Sequence, residues 1–77
     1  MYTDEMRKAF HSINPPKDFG ISIIDNDSFL TIKLNEEDFM YMMHDEKIEA
    51  VQYVTKIKSA LEYLGAIVLV TREASKR

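Results

Sequence analysis

Between Asn35 and Gly65 the chain carries a full helix start and a full helix stop, with no proline or glycine between them. Asn35 is a strong N-cap, and Glu36, Glu37 and Asp38 fill the first turn at the positive end of the helix dipole. Leu34 and Phe39 have the spacing of a hydrophobic staple. Gly65 stands where a C-terminal capping glycine belongs, and the apolar run from Ala66 to Thr71 follows at once. As one helix, the roughly 29 residues from 36 to 64 would extend about 43 Å. That is very long for a chain of 77 residues.

The helical wheel shows where such a helix is under tension. Ala50, Val51, Val54, Ile57, Leu61 and Leu64 share one face, and Phe39 and Met43 join it if the helix is continuous. Glu46 and Lys47 interrupt that face, and Asp45 is itself a fair N-cap with Glu46 and Glu49 behind it. Two forms follow: a helix kinked or broken near residues 44–46, or a long helix whose first turns reach onto a second subunit.

The remaining pattern is simpler. Thr3 to Ile13 reads as an amphipathic helix capped by Thr3, with Met6, Phe10 and Ile13 as its apolar stripe and Asn14-Pro15-Pro16 as its stop. Phe19–Asp25 and Phe29–Asn35 alternate as strands around the turn Asp25-Asn26-Asp27-Ser28, which predicts a β-hairpin. In it Phe19, Ile21 and Ile23 point one way and Gly20, Ser22 and Ile24 the other, while Leu30, Ile32 and Leu34 alternate with Phe29, Thr31 and Lys33. The expected fold class is α+β: a two-layer α-β-β-α-β sandwich with helices on one face, a long second helix and a three-stranded, mainly antiparallel sheet. A right-handed crossover returns the third strand parallel to the second. The other arrangement sets it beside the first, in the order 2-1-3, with every pair antiparallel. Residues 1–77 form one domain, with 72–77 as a fraying polar tail.

Composition closes off several classes of function. The chain is 45% apolar and 30% charged, a globular balance that fits neither a disordered tail nor a membrane span. Ten basic against thirteen acidic residues give a net charge of −3, unlike a dedicated nucleic-acid binder. Cysteine is absent, which removes disulfides, thiolate nucleophiles and Cys-bound zinc. With a polar, acidic start that has no signal-peptide pattern, this points to a cytoplasmic protein. A domain of this size buries only about 60–65% of its unfolded surface, and pairing with a second copy is a common remedy.

Candidate chemistry is sparse. No nucleophile elbow, P-loop, dinucleotide fingerprint or zinc-protease motif occurs, and the two glycines, Gly20 and Gly65, cannot build a phosphate cradle. Asp25-x-Asp27 opens like a calcium loop, but Phe29 and Leu30 occupy the fifth and sixth positions, where a ligand and a glycine are needed. His44, Asp45, Glu46 and Glu49 could offer metal ligands one turn apart and are better read as solvated charges; His11 reads as a surface residue. The expectation is a non-catalytic chain with no cofactor.

The least ordinary segment is Phe39-Met40-Tyr41-Met42-Met43. Five consecutive large apolar residues on a helix cannot all face one core, because successive positions are about 100° apart. Phe39 and Met43 are expected inward and Tyr41 outward, with Ile48 and Tyr63 on the polar side of the later helix. Methionine is over-used at surfaces that accept partners, and an exposed apolar patch marks an interaction site. The expected function is a protein–protein interaction module, homodimeric through this segment, with the acidic cluster from Glu36 to Glu49 rimming the surface and steering a basic partner. The alternative is a nucleic-acid-associated accessory protein that uses the basic end formed by Lys56, Lys58, Arg72, Lys76 and Arg77.

Overall fold

Local side-chain hydrogen bonds set the first three elements. The computed structural model describes residues 2–13 and 19–73. Helix α1 (Asp4–Ile13) begins where the Thr3 hydroxyl accepts the Met6 N–H at 3.2 Å, and it buries Met6 and Phe10. The proline stop proposed to end it lies outside the described residues. Strands β1 (Ile21–Asp25) and β2 (Leu30–Asn35) pair antiparallel, with Ile21 opposite Leu34 and Ile23 opposite Ile32. Their turn is held by the Asp25 carboxylate, which accepts the Asp27 N–H at 3.1 Å, and Asp27 takes a φ of +65° that Asx residues tolerate.

The long run after Asn35 does break, at residues 41–43 and so just ahead of the expected 44–46. The Asn35 side chain accepts the Asp38 N–H at 3.0 Å and starts α2 (Glu36–Met40), which ends after little more than a turn. Met43 is extended, and α3 (His44–Tyr63) follows. Its start differs from the expected one: Met43, not Asp45, takes the N-cap position, and the Glu46 carboxylate reaches back to accept the Met43 N–H at 2.9 Å. The extended residue resets the helical phase. Glu46 and Lys47 follow the break, in one helix with Ala50, Val54, Ile57 and Leu61, and are half-buried on its first turn; what the break turns relative to that face is the segment from Glu36 to Tyr41.

At the far end of α3, Gly65 adopts φ +102°. Its N–H donates to the Glu62 carbonyl and that of Ala66 to the Leu61 carbonyl, each at 3.0 Å, a Schellman turn that sends the chain into β3 (Val68–Glu73). β3 lies beside β2 and parallel to it, in the order β1-β2-β3. Of the two expected arrangements the crossover form is the one present. The α+β sandwich is as expected, and its sheet is mixed, with one antiparallel and one parallel pair. The strand also runs two residues beyond Thr71, so Arg72 and Glu73 are paired with Leu34 and Asn35 and not part of a tail.

One continuous core joins the two layers: Met6 and Phe10 of α1, Val54, Ile57 and Leu61 of α3, Leu30 and Ile32 of β2, and Val68 of β3. Tyr2 packs at its margin, where burial raises its phenol above the ordinary tyrosine range against the opposing pull of Arg7. The opposite face of the sheet has no helix among the described residues. Ile24 and Leu69 are exposed there on either side of Thr31.

Two substitutions test this account by chemical denaturation. Ile57→Ala removes a fully buried side chain at the helix–sheet contact and is expected to cost about 2–5 kcal/mol. Gly65→Ala meets no neighbouring atom within 4 Å, so its expected loss of about 1–2 kcal/mol comes from backbone conformation alone.

Candidate protein-interaction surface

The break at Met43 decides where the aromatic and methionine segment points. Phe39 is half-buried and turns toward α3 and β3, whereas Met40, Tyr41 and Met43 stand out at the corner between the two helices, Tyr41 with 83% of its surface exposed. Met42 is half-buried. The expected inward position of Met43 required an unbroken helix and is not found: as the extended cap residue it is exposed. Ile48 is exposed on the first turns of α3, and Tyr63 is exposed on its last turn, away from the other candidates along the helix. The segment is therefore one inward-turning phenylalanine with an exposed corner beside it, and Tyr63 does not join it.

Phe39 forms the link in an apolar seam. On one side it lines a hollow with Ile48 and Val51, of about 350 Å³. On the other it lines a slot of about 320 Å³ with Leu34, Val51, Val54 and Val70. Val51, which shares the apolar stripe of α3, is 52% exposed because it sits at the edge of the sheet and not over its centre. Sequence periodicity assigns Val51 to the core; only the strand order shows that the core stops short of it. Val70 is the corresponding case on β3. It lies beside Ile32, which is fully buried, yet is itself 46% exposed.

The charges around this seam reverse the expected polarity. Lys47, Lys58 and Arg72 line it, with His44 and Gln52, whereas the acidic residues of the first turn of α3 do not. Lys47 and Arg72 lie over the Phe39 ring, at 5.6 and 5.1 Å from its centroid. Glu36 holds Arg72 at 3.4 Å.

The proposed basic end is dispersed. Lys58 pairs with Glu62 at 2.9 Å, Arg72 with Glu36, and Lys56 lies over the Tyr53 ring, while Lys76 and Arg77 are outside the described residues. Among the described residues no three His, Asp or Glu side chains converge on a point that could hold a metal ion. No helix among them is long and apolar enough to cross a membrane. In comparisons with protein-family models, curated proteins and solved structures, nothing matches this chain.

Paired substitutions separate the two halves of the segment. Tyr41→Ala is expected to change stability by no more than about 0.5 kcal/mol, as for any open surface site. Phe39→Ala, which strips the link of the seam, is expected to cost about 1–3 kcal/mol. Urea midpoints for the two proteins check this.

Proposed function

We propose that this protein is a non-catalytic protein–protein interaction module that works as a homodimer. The observation that carries the proposal is the seam of Phe39, Ile48, Val51 and Val70, an apolar strip continuous with the core and left open to solvent along one edge of the sheet. Contiguous exposed apolar surface on a small protein usually marks a contact with another protein. The hollows lie at the bottom of the size range of small-molecule sites. A second copy removes this strip from water and adds to a thin core. The exposed corner of Met40, Tyr41 and Met43 adjoins the seam through Phe39 and widens the surface on offer. The nucleic-acid alternative gains nothing from the local partners of Lys58 and Arg72.

Light scattering over a concentration series tests the proposal. The expected mass is about 18 kDa, twice the 9.0 kDa of the chain. Val51→Glu places a charge on the open seam and is expected to return the mass to 9.0 kDa with the far-ultraviolet helix signal intact. A wild-type mass of 9.0 kDa at every concentration overturns the homodimer.

A further inference from the structure

We infer that two copies join through the outer edge of β3, in an antiparallel, two-fold pairing centred on Leu69 that makes one six-stranded sheet. This rests on the homodimer proposed above and specifies how its subunits meet. The first support is hydrogen-bond direction. The Leu30 N–H donates to the Ile67 carbonyl at 2.8 Å, and Leu30 pairs with Val68 in the parallel register. That pattern turns the main-chain groups of Ile67, Leu69 and Thr71 toward β2, and those of Val68, Val70 and Arg72 outward. Among the described residues no strand lies beyond β3 to receive them.

The second support is that the first part of this edge lacks the usual guards, the charges of β3 being confined to Arg72 and Glu73 at its end. Ala66 to Thr71 contains no charge, no proline and no glycine, the composition that natural edge strands avoid unless the edge is used. Its side chains are apolar on both faces: Val68 and Val70 toward the helices, Ile67 and Leu69 toward the open side. An occupant must therefore be extended and aliphatic at consecutive positions, and β3 itself meets that description. β1, the other edge, has Ile21 and Ile23 half-buried against the core and ends in Asp25.

The third support is charge. A two-fold axis at Leu69 sets Val68 of each copy opposite Val70 of the other, and Arg72 opposite Ala66. The two Arg72 side chains then stand about 20 Å apart, beyond the screening length at physiological salt. The same pairing lays the second copy's aliphatic strand along the helix-side slot where Val70 and Val51 are exposed.

Three variants test the pairing, each compared with the wild type by light scattering and circular dichroism. The chain has no cysteine, so introduced thiols report without background. Leu69→Cys puts two thiols across the axis in a non-hydrogen-bonded pair, where the Cα separation of about 4.5 Å suits a disulfide. It is expected to cross-link as a covalent dimer under mild oxidation. Thr71→Cys, with its thiols about 13 Å apart, is expected not to. Val70→Pro removes an outward N–H from each copy while leaving the β2 ladder whole. It is expected to keep the monomer folded and raise the dimer dissociation constant on the order of thirtyfold or more. A wild-type dimer that survives Val70→Pro and leaves Leu69→Cys uncross-linked overturns the edge pairing and leaves the homodimer standing. A wild type that is monomeric throughout overturns both.

Discussion

The structure depends on β2 being satisfied on every side. Among the described residues it is the one strand with a neighbour along both edges, antiparallel to β1 and parallel to β3. Its helix-facing residues Leu30, Ile32 and Leu34 are almost wholly buried, the first two against Ile57 and Leu61 of α3 and Met6 and Phe10 of α1. Burial falls away on either side, to Ile21 and Ile23 at one edge and Val70 at the other. A core this narrow is complete along a single line. One strand away from that line only Val68 of β3 is fully buried; Ile21, Ile23 and Val70 are partly removed from water, and Val70 belongs to the candidate interaction surface.

The parallel placement of β3 follows from the same centre. After β2 the chain must travel back along the strand before it can re-enter the sheet, and α3 supplies that return. At 20 residues it spans about 30 Å, longer than the six-residue strand beneath it. The break at Met43 shortens the return, because a helix unbroken from Glu36 to Tyr63 would run about 42 Å, far beyond the six-residue strand. One extended residue, tied down by the Glu46 carboxylate, changes both direction and phase.

Much of this was legible in the amino-acid order. Caps at Thr3, Asn35 and Gly65, the Asx turn at Asp25–Asp27 and the alternation of Leu30, Ile32 and Leu34 are local signals, and each is realised. What was not legible is non-local. Strand order cannot be read from periodicity, so neither the exposure of Val51 and Val70 nor the inclusion of Arg72 in the sheet could be derived. The rim charges show the same limit. Runs such as Glu36–Asp38 are conspicuous in sequence, yet Lys47, Lys58 and Arg72 meet at the seam from three positions in different turns and a strand.

The parallel ladder also orders events in time. The β1–β2 hairpin closes through a turn of a few residues, whereas Leu30 and Val68 are 38 residues apart and their pairing closes a loop that holds both α2 and α3. Contacts that close large loops are the slow ones. The strand of the chain with the most sustained aliphatic pattern is thus the last to find its place, and it stays solvent-facing through much of folding. Refolding at high concentration therefore sets two reactions against each other, docking of β3 onto its own β2 and capture of β3 by another unfinished chain.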